Sequence, residues 1–135
     1  MKRILRAAAT ALLLAAAPAA AGEAEDIQAV IGAQLERFQQ DDWRGAFAYA
    51  APGLRSLFQT PETFGRMVRE GYAMVWRPSR VEAGPLETGP RGPVQIMRFT
   101  DRAGVDWVAA YEMVRVDDAW RIAGVRIRRA EDVAA

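Results

Sequence analysis

Apolar residues recur with two different spacings along this 135-residue chain, and the spacing changes soon after residue 71. Before that point they fall every three or four positions, as in the run from Ile27 to Phe38, which predicts amphipathic helices. Further along, apolar and polar residues alternate, which predicts half-buried strands. Turn sequences divide this second part into strands near 79–88, 93–100, 105–116 and 119–129. Helices followed by an antiparallel meander predict an α+β fold, with short helices packed on one face of a curved four-stranded sheet.

The helical part begins with a predicted helix from about Ala24 to Gln40. Asp42 is expected to cap a second helical run, because a carboxylate can accept hydrogen bonds from the free N–H groups of a first turn. A third short segment starts at Ala51-Pro52 and carries its apolar residues at Leu54, Leu57 and Phe58.

The segment from residue 60 to residue 78 joins the helical part to the sheet. Thr60 is predicted to cap a helix that starts at Pro61 and ends at Gly71. The following residues alternate in character, which predicts an extended stretch ended by Pro78. The large side chains of this stretch are Tyr72, Met74 and Trp76.

Two turns are used to set the register of the sheet, and the register decides the face to which each side chain points. A two-residue turn at Asp117-Asp118 joins the third and fourth strands. A four-residue loop from Asp101 to Gly104 joins the second and third strands. The expected closing pairs are Thr100 with Val105 and Val116 with Ala119.

In this register, Arg98 and Arg128 flank Trp107 on the face that the helices are expected to cover. The other face, around Val108, is too apolar to be left in water as a broad patch, so a homodimer through the sheet is expected there. The residues assigned to the helix-covered face are Val94, Ile96, Arg98, Trp107, Ala109, Tyr111, Met113, Ile122, Gly124, Arg126 and Arg128.

The first residues have the pattern of a signal peptide, with three basic residues, an apolar core and a small-x-small site that ends at Ala21. Cleavage there would leave one domain, residues 22–135, in a periplasmic or secreted location and without a membrane span. The alternative is an uncleaved N-terminal anchor.

Composition excludes several kinds of chemistry. Residues 22–135 contain 15 basic and 17 acidic residues, a net charge of −2, which gives no support to nucleic-acid binding. The chain has no His and no Cys, and all of its Lys lies in the leader. Catalytic triads, histidine-bound metals and Schiff-base chemistry are therefore excluded, and we predict neither a metal nor a cofactor.

The segment Thr-Pro-Glu-Thr-Phe-Gly-Arg-Met-Val-Arg-Glu-Gly-Tyr at 60–72, followed by the meander and the run Trp120 to Val125, resembles the bacterial family domain of unknown function 4864. The layout is also similar to the NTF2-like, or cystatin-like, superfamily. That resemblance implies a curved sheet wrapped around helices to enclose a conical pocket, and it implies no particular reaction.

The first functional hypothesis is a non-catalytic domain that binds a polar or anionic small molecule, or a partner, in such a pocket. Its candidate ligand-binding residues are Tyr72, Trp76, Arg98, Trp107, Tyr111 and Arg128. Structural roles compete with this interpretation, since aromatics dominate cores and exposed arginines commonly stack on indole rings.

Two alternatives remain open. An enzyme of the isomerase, cyclase or dehydratase type would use Asp106 or Glu112 as the base, with a tyrosine polarising a carbonyl. The competing interpretation places these carboxylates in cross-strand salt bridges, Asp106 with Arg129 and Glu112 with Arg121. The other alternative is an interaction module at a membrane surface.

Overall fold

A computed structural model describes residues 22–134 of the protein. The predicted signal peptide, residues 1–21, lies outside the described residues and stays a prediction. The elements in chain order are α1 (Glu23–Gln39), α2 (Trp43–Phe47), α3 (Pro52–Phe58), α4 (Pro61–Gly71), α5 (Ala73–Trp76), β1 (Arg80–Gly89), β2 (Gly92–Thr100), β3 (Asp106–Val116), β4 (Ala119–Arg129) and α6 (Ala130–Ala134). The four strands form one antiparallel sheet in the order β1-β2-β3-β4. The predicted α+β fold is confirmed.

The predicted helix caps form as expected. The Thr60 side chain accepts a hydrogen bond from the backbone N–H of Thr63, and Asp42 accepts one from Gly45. Each bond satisfies an N–H that has no partner within its own helix, which fixes where α4 and α2 begin.

The stretch after Gly71 was predicted to be extended, and this is wrong. The Tyr72 backbone has φ −137° and ψ 54°, which ends α4, and its carbonyl accepts hydrogen bonds from the N–H groups of Val75 and Trp76. The result is the one-turn helix α5. Met74 and Val75 are consecutive and both are buried, which a strand that alternates its faces does not allow.

The loop between β2 and β3 is one residue shorter than predicted, which shifts the register. Asp101 pairs with Val105 through a backbone hydrogen bond, and Gly104 closes the turn with φ +85°. The Asp101 carboxylate accepts bonds from Val105 N–H and from the Trp107 indole N–H, and the indole bond is the main reason that the pKa of this carboxyl is lowered. Thr100 therefore pairs with Asp106.

The final hairpin starts as predicted, with Val116 opposite Ala119. A bulge then shifts the register by one residue, so that later β4 side chains point to the face opposite to the predicted one. Ile122 pairs with Met113 and Gly124 pairs with Glu112, so Ala123 is an extra residue in β4.

These two shifts change the predicted faces. The helix-covered face carries Met97 and Phe99 rather than Ile96 and Arg98 in β2. Beyond the bulge, the β4 residues that turn toward the helices include Val125 and Ile127. Tyr111, Met113 and Ile122 share the helix-covered face as predicted.

The helices are held together by aromatic contacts around Phe64 of α4. Its ring centroid lies 5.9 Å from that of Phe38, 5.4 Å from Phe47 and 5.6 Å from Phe58. Because these partners come from α1, α2 and α3, one side chain ties all four helices together, within the range where aromatic pairs attract.

The outer edge of β4 is bonded to the helical part. Ala51 N–H donates to the Ile122 carbonyl at 2.8 Å, and Ile122 N–H donates to the Tyr49 carbonyl at 2.9 Å. The chain therefore enters α3 from a point fixed on the sheet.

The connection that leaves α3 contains a strained residue. Gln59 has φ +72° and ψ −44°, and the N–H of Thr60 bonds to the carbonyl of Phe58 at 2.8 Å across it. A side chain with a Cβ rarely adopts this left-handed conformation, so the fold holds it against a local preference.

We predict that Gln59→Gly stabilises the protein by about 1 kcal/mol, because relief of the strain exceeds the added freedom of the unfolded chain. The measurement is the unfolding free energy from urea titration. Gln59→Ala is the matched control, since it removes the same polar group but keeps the Cβ. An equal gain in both variants would show that the backbone strain is not the cause.

Candidate functional site

A cavity of about 310 Å³ lies between the sheet and helices α1, α3 and α4. We call it the α3–α4 cavity. It is lined by Gln34, Phe38, Leu54, Leu57, Phe58, Phe64, Met67, Val68, Tyr72, Val75, Tyr111, Ile122, Gly124, Val125 and Ile127.

The bulge in β4 forms the sheet side of this cavity. Ile122 and Val125 are three residues apart, and in a regular strand they would point to opposite faces. The extra residue Ala123 lets both line the cavity.

Helix α3 covers the cavity without being packed into the core. None of its residues is buried, yet Leu54, Leu57 and Phe58 all line the cavity. Its position comes from its two ends, namely the Ala51–Ile122 backbone bond and the tight turn at Gln59.

Exposure of the lining residues shows where the cavity opens. Leu57 is 71% exposed and Tyr72 is 37% exposed, whereas Tyr111 and Ile122 are each 1% exposed. The rim therefore lies between α3 and the end of α4, and the base lies on the sheet.

The lining is almost entirely apolar. Among residues 22–134, its polar side chains are Gln34, Tyr72 and Tyr111, and none of the lining side chains is charged. The Gln34 Nε2 donates to the Ala46 carbonyl at 3.1 Å. Burial raises the pKa of the Tyr111 hydroxyl well above its usual value, so this group stays protonated at any physiological pH.

Of the six predicted ligand-binding residues, Tyr72 and Tyr111 line the cavity. The two tryptophans do not, because their indole N–H groups are bonded to turn residues. Trp76 donates to Asp41 at 2.8 Å, and Trp107 donates to Asp101 at 3.0 Å.

Each of these indoles also has an arginine over its ring. Arg77 lies 4.8 Å from the Trp76 centroid, and Arg129 lies 5.5 Å from the Trp107 centroid. The competing structural interpretation of the tryptophans, as capped and stacked residues, therefore fits their surroundings.

The predicted flanking of Trp107 by Arg98 and Arg128 is wrong. Both arginines pair with Val108, the neighbour of Trp107, and so point to the opposite face of the sheet. The one-residue shift of each register is the reason.

The two candidate catalytic carboxylates also lie away from the cavity. Asp106 accepts a hydrogen bond from the Thr100 hydroxyl at 2.6 Å, and Glu112 lies 3.0 Å from Arg91 and 3.5 Å from Arg126. Arg129 is not opposite Asp106, because the register shift pairs it with Trp107. Arg121 lies opposite Val114 as in the predicted register, but Glu112 forms its ion pairs with Arg91 and Arg126 instead. The arrangement of a base beside a tyrosine, which the enzyme alternative requires, is not formed by these residues.

Within residues 22–134, no group of three or more acidic side chains comes close enough together to hold a metal ion. Among the same residues, every helix is too short or too polar to traverse a bilayer.

Several lining residues were missed by the sequence prediction, and one had left a signal. Gln34 is a polar residue in the apolar stripe of α1, between Ile31 and Phe38. A polar residue on a core-facing stripe indicates a special environment. Leu54, Leu57 and Phe58 of α3 gave no comparable signal, since apolar residues on a short helix also fit simple packing.

Comparison with known proteins supports the fold and the family. No curated protein matches the chain. A solved structure of Aln2 from a Streptomyces species matches with a TM-score of 0.52 and 19% identity, covering 82% of this chain and 92% of that one. At this identity the likeness shows the fold alone, and helices followed by an open antiparallel sheet are consistent with an NTF2-like fold. The family Domain of unknown function (DUF4864) matches residues 20–135, and the chain therefore belongs to the DUF4864 family.

Proposed function

We propose that this protein binds a small molecule in the α3–α4 cavity without catalysing a reaction on it. The observation that carries the proposal is the cavity itself, about 310 Å³ in volume, closed at its base and open at its rim. Binding sites for small molecules are typically concave, mostly apolar and of this size or larger.

The lining favours a neutral, predominantly apolar ligand. An ion buried here would lose its hydration without gaining a counter-charge, because the described lining residues are all uncharged. The earlier expectation of a polar or anionic ligand depended on Arg98 and Arg128, which lie on the other face of the sheet.

We further propose that the protein works outside the cytoplasm, on the support of the signal-peptide pattern in residues 1–21. Expressed at full length in a Gram-negative host, the protein is expected in the periplasmic fraction. Its intact mass there should correspond to a chain that begins at Gly22. A full-length mass in the cytoplasmic fraction would contradict the proposal.

A homodimer through the outer face of the sheet is a second proposal. Apolar side chains that are only partly buried form a row on this face, and Arg98 and Arg128 beside them make no ion pair within residues 22–134. The apolar members of the row are Ile96, Val108, Ala110 and Val114.

We predict a dimer mass by light scattering at high micromolar concentration. Val108→Arg should give a monomer with an unchanged circular dichroism spectrum, because it places a third cation between Arg98 and Arg128. A monomeric wild-type protein at that concentration would rule out the dimer.

Ligand binding is tested with a neutral fluorescent probe, N-phenyl-1-naphthylamine, whose emission rises in apolar surroundings. We predict that the wild-type protein binds the probe and that Val125→Phe weakens the binding about tenfold, equivalent to ~1.4 kcal/mol. The reason is that Val125 lines the cavity, so a larger side chain there takes up ligand volume.

Val116→Phe is the matched control, since it makes the same change at the hairpin end of β3, away from the described lining residues of the cavity. Its probe affinity should stay within about twofold of wild type, as expected for a surface change remote from the site. Equal losses in the two variants, with both still folded by circular dichroism, would place the probe elsewhere and contradict the proposal.

A further inference from the structure

We propose that the Tyr111 hydroxyl selects the ligand by donating a hydrogen bond to it, so that the ligand is a neutral, mostly apolar molecule with a carbonyl or similar acceptor oxygen at its buried end. This inference rests on the proposed function, because it names the class of molecule that occupies the α3–α4 cavity.

The first observation is that Tyr111 is enclosed and has no partner. The residue is 1% exposed, and its hydroxyl makes no hydrogen bond with any residue in the described part of the chain. The enclosed side-chain nitrogens without a partner in residues 22–134 are Arg77 Nε and Trp120 Nε1. The Tyr111 oxygen is not one of these atoms. Because Tyr111 lines the cavity, we infer that its hydroxyl faces that space.

The second observation is the contrast with Trp76 and Trp107. The chain supplies each of these aromatic N–H donors with an aspartate, at 2.8 Å and 3.0 Å. Among residues 22–134, no group accepts a hydrogen bond from the Tyr111 hydroxyl. A buried polar group normally has a hydrogen-bond partner, and a hydrogen bond left unmade lowers the stability of the fold.

A bound acceptor oxygen would restore the missing hydrogen bond. A carbonyl fits this role because it accepts without bringing a charge into an apolar cavity. Gln34 is a second polar side chain in the same lining, and its Nε2 donates a hydrogen bond to the Ala46 carbonyl. Its Oε1 accepts no bond from the described residues and is left for a ligand hydroxyl.

The test uses two molecules of nearly equal size that differ in one carbonyl, 2-acetylnaphthalene and 2-ethylnaphthalene. Each molecule is titrated into protein that carries bound N-phenyl-1-naphthylamine, and its affinity is obtained from displacement of that probe. The quantity compared is the ratio of the affinity for the ketone to the affinity for the hydrocarbon. For the wild-type protein the ratio should favour the ketone. In Tyr111→Phe it should fall about tenfold, because the donor is gone while the shape of the cavity is kept.

Tyr49→Phe is the matched control, since it removes the same hydroxyl from a partly buried residue that is not among the described lining residues of the cavity. Its ratio should equal that of wild type. Without ligand, Tyr111→Phe should unfold at the same temperature as wild type or higher, because the hydroxyl has no bond to lose. A clearly lower unfolding temperature would assign the hydroxyl to the fold and overturn the inference.

A spectroscopic measurement on the wild-type protein avoids reliance on the variant. The carbonyl stretch of ¹³C-labelled 2-acetylnaphthalene should move to lower wavenumber on binding, as it does when a carbonyl accepts a hydrogen bond. No shift, or equal ketone preference in wild type and Tyr111→Phe, would overturn this inference and leave the proposed function standing. Failure of both molecules to displace the probe, together with no probe binding, would overturn both.

Discussion

The cavity depends on a single extra residue in the last strand. Without Ala123, the side chains of Ile122 and Val125 would point to opposite faces of β4. The bulge turns both toward the helices, and the backbone of Ile122 binds the segment that leads into α3. The sheet side of the site and the position of its cover are thus set at one place in the chain.

Much of the fold followed from the sequence because periodicity and turn residues act locally. The helix caps at Thr60 and Asp42 and the four strands were all predictable from short segments. The face to which each β2 side chain points was not predictable, since it depends on whether Asp101 belongs to the loop or pairs with Val105. The choice is made by bonds that the Asp101 carboxylate accepts from Val105 and Trp107, which spacing alone does not reveal.

The candidate site was less predictable for the same reason. Tyr72 and Tyr111 were found from their positions beside the predicted core, whereas the arginine cluster around Trp107 was an error of one residue in register. A slip of one residue sends a whole strand's side chains to the other face, so a site built from several strands is much more sensitive than the fold. The sequence signal for the bulge at Ala123 was Gly124, since an isolated glycine inside a strand often marks a bulge, and it was not used to set the register.

The two kinds of aromatic residue play different parts in this structure. Trp76 and Trp107 have their polar atoms bonded to aspartates. The first bond joins α5 to the loop after α1, and the second joins β3 to the loop that precedes it. Tyr111 has the same mixed character but lies at the base of the cavity, and its hydroxyl has no hydrogen-bond partner in the described part of the chain. The surroundings of a side chain, rather than its type, thus separate the residues that hold the fold from the one offered to a ligand.

Helix α3 shapes the cavity while contributing little to the core, since none of its seven residues is buried. Substitutions at the exposed Leu57 can therefore remodel the binding space at small cost to folding, whereas Leu54 and Phe58 also pack against the core. Relatives that share this scaffold could diverge in what they accept by changes in one short helix. The same property makes α3 the natural segment to randomise when the protein is to be redirected to a new small molecule.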